Sequence, residues 1–300
     1  MAATPWAWTG WLRLAQIHHD SALGRLVSPM RELEREPSTD AARAAETSPI
    51  PPLAVIGRGR VGRSIATAAR RAGLPFRLAG RDEAPIAARE SEAALLCVPD
   101  AAIAAACETL AAAVPPLRFV GHTSGATTLD ELAAARAAGA EGFSLHPLQT
   151  LPDGATDLEG SPCAIAGSSV GALALARELA GRLGMRPFEV PEETRVAYHA
   201  AAAMASNLLV ALEESAAGLL DRVGADCPGR ELLAPLVIRT LENWVARGPE
   251  ALTGPVIRGD DATIERHVEA LRELAPELLP IYEVLTERAR ALAGPVEAVR

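Results

Sequence analysis

Leu53-Ala-Val-Ile56-Gly57-Arg-Gly59-Arg-Val-Gly62 joins a short apolar strand to a glycine-rich turn, which opens a helical pattern over Arg60–Ala72. In such a G-x-G-x-x-G turn the three glycines have separate tasks. The first permits the tight turn, the second lets backbone approach a pyrophosphate, and the third allows close helix–strand packing, with the helix N-terminus facing the phosphates. Two readings stand: a dinucleotide site built on Gly57, Arg58, Gly59, Arg60, Val61 and Gly62, or a structural turn. The strand–turn–helix–strand setting favours the dinucleotide.

The next strand, Pro75–Ala79, runs into Gly80-Arg81-Asp82. An acid at this point binds a ribose 2′-hydroxyl, whereas an arginine accommodates a 2′-phosphate. Arg81 stands where the acid would be, and residues 57–81 hold seven Arg and no acid. NADP is therefore preferred to NAD, with Asp82, one residue on, as the counter-indication.

Outward from this unit the chain alternates. Strands are predicted at Ala93–Val98, Leu117–Val120, Gly142–Leu145, Cys163–Ala166 and Pro187–Val190, and helices at Ala101–Ala113, Leu129–Ala138 and Val170–Leu183. Near-continuous apolar strands between helices indicate an α/β Rossmann domain over 51–190, with a mostly parallel, doubly wound sheet covered on both faces. After Pro191 the strands stop. Helical patterns at Val196–Leu220, Glu231–Ala246, Asp261–Leu274 and Pro276–Leu292 give an all-α domain over 191–300. Residues 1–50, with Trp6, Trp8 and Trp11, read as a weakly ordered extension or as a docking helix.

Composition removes several functions. With 49% hydrophobic and 22% charged residues over 300 positions, the chain is neither disordered nor fibrous. A net charge of −9 argues against a nucleic-acid or anionic-membrane partner. All 29 basic residues are Arg, which excludes a Schiff-base lysine, a Walker-type lysine and a catalytic lysine acid. Cys97, Cys107, Cys163 and Cys227 are scattered and read as buried thiols of a reducing cytoplasm. With neither a membrane-length apolar run nor a secretory leader pattern, the expected location is cytoplasmic.

Two further loops follow predicted strands, where open α/β sheets bind ligands. They are Val98-Pro99-Asp100 and His122-Thr123-Ser124-Gly125. The second reads either as a ligand loop or as a polar turn with a helix cap.

Four motifs in order carry a resemblance: His122-Thr-Ser-Gly125, His146-Pro-Leu-Gln149, Tyr198-His-Ala-Ala-Ala with Ala205-Ser-Asn207, and Ala251-Leu-Thr-Gly-Pro255 through Arg258-Gly-Asp260. Over about residues 51–300 the chain resembles the bacterial family that joins a Rossmann-like domain to a DUF2520 domain. That family is a branch of the 6-phosphogluconate dehydrogenase-like superfamily, with ketopantoate reductases, pyrroline-5-carboxylate reductases and β-hydroxyacid dehydrogenases. The resemblance implies NADP binding and a homodimer formed through the helical domain.

β-Hydroxyacid dehydrogenases carry Lys-x-x-x-Asn on the first long helix after the Rossmann domain, the Lys moving the proton and the Asn orienting substrate. Asn207 matches the Asn, but Ala203 stands at the Lys position. Helical geometry offers a substitute, because His199 and Ser206 lie about 20° apart around a helix and Asn207 about 80° from His199. His199 is then the expected proton donor, with a satisfied core histidine as the alternative. His122 and Ser124 are expected catalytic companions, and Val98, Pro99 and Thr123 join the cofactor residues. His146, Ser206, Arg258 and Asp260 are candidates for substrate. For Arg258 and Asp260 a salt-bridged, capped helix start is the competing reading. No metal is expected.

The resulting expectation is an NADP(H)-dependent oxidoreductase reducing the carbonyl or imine of a small acid, with a ketopantoate-like 2-oxo acid as the specific substrate. The alternatives are a non-catalytic NADP(H)-binding sensor or scaffold, a pyrroline-type imine reductase, and deazaflavin–NADP exchange.

Overall fold

The computed structural model describes residues 50–112 and 115–293. The extension expected over 1–50 lies, but for Ile50, outside the described residues. Among the described residues one compact unit runs to Val210 and a second begins at Ala211.

The first unit is built on seven strands: β1 Leu53–Ile56, β2 Phe76–Ala79, β3 Ala93–Leu96, β4 Phe119–His122, β5 Glu141–Pro147, β6 Pro162–Gly167 and β7 Arg186–Glu189. They lie in the order β2-β1-β3-β4-β5-β6-β7. β1 to β5 are parallel, while β6 pairs antiparallel with β5 and parallel with β7. The sheet is therefore doubly wound and mostly parallel, as expected, with a reversed pair at one edge. The chain leaves β1 toward β2 and returns to the opposite side at β3. This places the topological switch, where such sheets bind ligands, at the carboxyl ends of β1 and β3.

Alternation along each strand sends side chains to both faces. Leu53 and Val55 pack with Ile65 and Ala69 of α1 (Arg60–Arg71), and with Leu175 and Leu179 of α5 (Val170–Arg182). Ala54 and Ile56 face the other layer, with Ala87 of α2 (Ala84–Arg89), Ile103 and Leu110 of α3 (Ile103–Ala111) and Ala135 of α4 (Ala133–Ala137). With aromatics at 3%, these layers are filled by Leu, Ile and Ala. Of the cysteines, Cys97, Cys107 and Cys163 are buried and all four are free, but Cys227 is exposed, contrary to the expectation of four buried thiols.

The first unit closes with α6 (Arg195–Ala203) and a π turn, Met204–Leu208, so the predicted helix over Val196–Leu220 is not a uniform α-helix. The π turn leads into α7 (Leu209–Val223). From Ala211 onward the second unit is helical: the body of α7, α8 (Gly229–Arg247), the short α9 (Pro255–Arg258), α10 (Asp261–Leu274) and α11 (Leu279–Ala293). The side chain of Asp260 caps α10 by accepting from the Thr263 amide at 3.1 Å. Arg290 of α11 pairs with Asp261 at 2.7 Å, and the His267 ring meets the Tyr282 hydroxyl at 2.7 Å.

Candidate functional site

The three glycines of the turn differ in their surroundings. Gly57 holds φ at +124°, which disfavours a side chain, and a Cβ there would run into the Cys97 carbonyl. A Cβ on Gly62 would strike the Gly57 carbonyl, so these two glycines are fixed by the protein's own packing. Gly59 differs: nothing lies within 4 Å of the position its Cβ would take. Gly59 is also the N-cap of α1, with no side-chain cap and no acid in the first turn. A helix start normally attracts an anion or a capping oxygen. Here the first turn instead holds Arg60 and the half-buried Val61, with no side-chain cap of its own.

Arg58 and Arg81 flank the turn on exposed backbone. Arg58 pairs with Glu83 at 2.6 Å. Among the described residues Arg60 and Arg81 have no carboxylate within salt-bridge distance, and Asp82 is exposed without a hydrogen-bond partner. Val98 is half buried beyond β3, and the exposed Pro99 starts the next turn. A run of contacts leads from the glycine turn to the neighbouring strands. The Cys97 amide donates to Ile56 O at 2.7 Å, and the Thr123 amide to Leu96 O at 3.1 Å.

The loop that Thr123 begins is buried through Gly125. A Cβ on Gly125 would lie 2.7 Å from Cδ2 of His199 and 2.8 Å from Nε2 of His146. Glycine leaves room here for two imidazoles to close on the backbone. Three sequence motifs far apart in the chain thus meet at one point. The ring centroids of His146 and His199 stand 6.0 Å apart, edge to face, and Nδ1 of His146 lies 2.7 Å from the Tyr198 hydroxyl. Tyr198 in turn packs edge-on against Phe188.

These groups form one end of a pocket of about 450 Å³, whose wall continues through Gln149, Ala202, Ala203, Ser206 and Asn207. That is within the range of small-molecule sites. Of the residues expected from helical spacing, His199, Ser206 and Asn207 do share this wall, with Ala203 giving a small-residue floor. The π turn carries Ser206 and Asn207, and local π geometry is frequent at functional sites.

Other candidates are placed differently. His122 is fully buried at the end of β4, outside the pocket wall, and neither ring nitrogen has a hydrogen-bond partner. Burial, followed by the charge of Arg195, pushes His122 down to about 4. A neutral imidazole of that kind does not serve as a general acid at neutral pH. The Ser124 hydroxyl is committed to its own turn, accepting from the Thr127 amide at 3.0 Å and meeting the Thr127 hydroxyl at 2.8 Å. It closes a polar turn but caps no helix, since the helical turn that follows starts at Leu129 with Thr128 as its N-cap and no side-chain cap. Arg258 and Asp260 belong to the helical unit. Both carboxylate oxygens of Asp260 are spent on Thr263, so its capping role is the observed one.

Sequence reasoning passed over Tyr198, Gly125 and Arg195. Arg195 is fully buried at the start of α6, donating to Ser124 O at 3.2 Å and pairing with Glu192 at 3.2 Å. Glu192 also accepts from the Leu129 amide at 2.7 Å. This pair fastens the helix that carries Tyr198 and His199 to the loop that carries Gly125. Burial, then the neighbouring His199, lowers His146 to about 4, and burial raises Tyr198 to about 12. Among the described residues no group of three or more His, Cys, Asp or Glu side chains is placed to hold a metal.

Residues 161–289 match the family model described as "Domain of unknown function (DUF2520)". No curated protein matches the sequence. Among solved structures, protein BF3122 of Bacteroides fragilis superposes with a TM-score of 0.66 at 22% identity, over 80% of this chain and 98% of that one. A reductive aminase of Aspergillus terreus, solved with NADPH and ethyl-5-oxohexanoate, gives 0.61 at 19% identity, over 83% and 99%. The pyrroline carboxylate reductase of Plasmodium falciparum, solved with NADP, gives 0.54 at 10%, over 82% and 99%. These likenesses establish the fold: a Rossmann-like domain followed by helices.

Proposed function

We propose that this protein is an NADP(H)-dependent oxidoreductase that reduces the carbonyl or imine of a small acid. The observation that carries the reading is the continuity of the β1, β3 and β4 ends. A glycine turn open at Gly59 leads through Cys97 and Thr123 to Gly125, against which His146 and His199 close. A dinucleotide turn and a pocket of acid–base groups thus share one edge of one sheet.

Gly57, Gly59, Gly62 and the start of α1 would hold the pyrophosphate, with Arg58, Arg60 and Arg81 supplying positive charge. Val98, Pro99 and Thr123 would border the cofactor. When bound, NADPH supplies a hydride. The chain's own residues do the rest. His199 donates the proton to the reduced atom. Asn207 and Ser206 orient the substrate. The neutral pair His146–Tyr198 fixes the opposite wall.

No arginine lines this pocket, so the acid group of the substrate would be held by the neutral polar chains of Gln149, Ser206 and Asn207. A 2-oxo acid of ketopantoate size suits the volume. The imine reading draws support from the reductive aminase and the pyrroline carboxylate reductase among the structural likenesses.

A homodimer is part of the proposal. Val196, Met204, Leu208 and Val210, and in the helical unit Leu236, Trp244 and Val284, are exposed apolar chains. A second copy is the partner that would cover them. The run Glu192–Val223 has the length and mean hydropathy (1.2) of a membrane span by composition alone. Its first turns, however, are anchored to the sheet unit through Arg195 and Tyr198. A reducing cytoplasm suits its four free cysteines.

Titration with NADPH and NADH, followed by nicotinamide fluorescence and melting temperature, tests the cofactor. A panel of small 2-oxo acids and cyclic imines, followed by loss of reduced nicotinamide, tests the chemistry. Micromolar NADPH binding with turnover of one panel member is the expected result. Binding without turnover of any member favours the sensor, and absence of binding overturns the reading.

A further inference from the structure

Glu83 reaches back across the end of β2. Its carboxylate accepts from the Gly80 amide at 2.8 Å and pairs with Arg58 at 2.6 Å. Arg58 lies inside the glycine turn, so a single carboxylate ties the loop after β1 to the loop after β2. A Cβ placed on Gly80 would stand 3.5 Å from Oε2 of Glu83. The carboxylate therefore sits beside the space that a side chain at the end of β2 would enter. In dinucleotide sites that strand-end position carries the acid that reads the ribose 2′-hydroxyl. In this chain the strand end reads Gly80-Arg81, with no acid at either position, and an acid arrives from Glu83.

The carboxylate is both fixed and ionised. Glu83 is the N-cap residue of α2, which sets its backbone. The Gly80 amide, and then the Arg58 guanidinium, hold its carboxyl below the usual range. A fixed carboxylate at this point accepts a hydrogen bond from a 2′-hydroxyl and repels a 2′-phosphate. It also engages Arg58, one of the cations that a 2′-phosphate would otherwise take. Arg81 is left to favour the phosphate. Asp82, the sequence candidate for the ribose, is exposed, and among the described residues its side chain makes no hydrogen bond or ion pair with these groups.

We propose that Glu83 sets the cofactor preference of this site. By supplying the acid that Gly80 lacks and by occupying Arg58, it lets the site accept NADH beside NADPH. The preference for the 2′-phosphate is thereby narrower than the arginine-rich turn alone would give. This inference rests on the dinucleotide reading above.

The test is equilibrium binding to the full chain, with wild type and E83Q each titrated with NADPH and NADH. Adenosine 2′,5′-bisphosphate and 5′-AMP serve as competitors that report the 2′-phosphate alone. Gln keeps an acceptor for the Gly80 amide and removes the charge. In the wild type the two dinucleotide Kd values should differ by less than about tenfold, and E83Q should widen the gap about tenfold in favour of NADPH. The bisphosphate should follow NADPH, and NADH should weaken. R58Q is a second arm that leaves the carboxylate in place. It should weaken NADPH more than NADH, even where E83Q fails to fold. If E83Q leaves the ratio unchanged, or weakens all four ligands alike, the proposal is overturned and Glu83 only braces the loops. If neither dinucleotide binds the wild type, the underlying site reading falls, and this inference falls with it.

Discussion

The hydroxyl of Tyr198 stands 2.7 Å from Nδ1 of His146, joining the first helix after the sheet to the end of β5. Burial moves the two groups apart on the pH scale, His146 down to about 4 and Tyr198 up to about 12. Between those limits the pair is uncharged and joined by one hydrogen bond. Tyr198→Phe removes that bond and keeps the ring against Phe188. Loss of one such bond costs about 1 kcal/mol of stability, so the variant should fold. Turnover should fall by about tenfold or more, since a misplaced acid–base group loses much of its effect. Unchanged kcat across the pH range would reduce the pair to packing.

The two buried imidazoles give a defined acid sensitivity. His122 and His146 both drop from the ordinary 6.5 to about 4 in the folded chain. Between these values the unfolded chain binds more protons than the folded one, so stability rises with pH. The contribution is complete above about pH 6.5 and is lost as pH falls toward 4. For the fully buried His122 the shift corresponds to about 3 kcal/mol. Melting temperature should therefore fall between pH 6.5 and 4, and above about pH 5 that fall precedes the loss of the carboxylate contributions. His122→Asn should flatten that part of the curve, and an unaltered slope would show that His122 does not titrate there.

The glycine turn was legible in the sequence because its pattern is local to one strand–turn–helix, although only Gly62 is fixed from within it, by the Gly57 carbonyl, and Gly57 is fixed by the Cys97 carbonyl beyond β3. The reversal at β6 was not, because an apolar strand such as Cys163-Ala-Ile-Ala reads the same in either direction. α2 escaped because Ala84–Arg89 is too short to show a period. At the site, the shared face of His199, Ser206 and Asn207 followed from helical spacing. The approach of His146 did not, since only the β5 register and the Gly125 loop bring it there. Arg195 was missed for a physical reason: arginine is almost never fully buried unless it is paired, and its partners Glu192 and Ser124 lie on separate elements.

Arg195 should matter more for stability than for binding. Removing one member of a buried ion pair costs about 3–5 kcal/mol. Arg195→Leu frees Glu192 and releases the Ser124 carbonyl from the helix. A fall in melting temperature of about 10 °C or more is expected, judged against the few degrees that 1 kcal/mol usually shifts. If the variant melts like the wild type, the Glu192–Arg195 staple does not hold α6 to the loop.

Gly125→Ala should do the reverse. The added methyl would meet side-chain ring atoms of His146 and His199 at 2.7–2.8 Å, not backbone. The rings can turn aside, so the loss of stability should be small, within about 2 kcal/mol. The geometry of the acid–base pair is what the methyl displaces. Turnover should fall by about a hundredfold, while NADPH affinity stays within about threefold of wild type. Equal loss of binding and turnover would mean that the methyl distorts the whole loop.

The sharpest separation of fold from function lies within the turn itself, between Gly57 and Gly59. At Gly57 the backbone is at φ +124°, and a methyl would collide with the Cys97 carbonyl, which directly follows the central strand β3 and is held by the bond from its own amide to Ile56 O. Gly57→Ala should therefore destabilise by several kcal/mol whether or not a ligand is present. At Gly59 a methyl meets nothing within 4 Å, so Gly59→Ala should melt like the wild type without ligand. The methyl would nevertheless stand where the backbone must admit a pyrophosphate, and NADPH affinity should fall by about tenfold or more. Thermal melting of both variants, with and without NADPH, reads the difference directly. A Gly59→Ala protein that binds as tightly as wild type would show that the open face of the turn is not the approach of the cofactor.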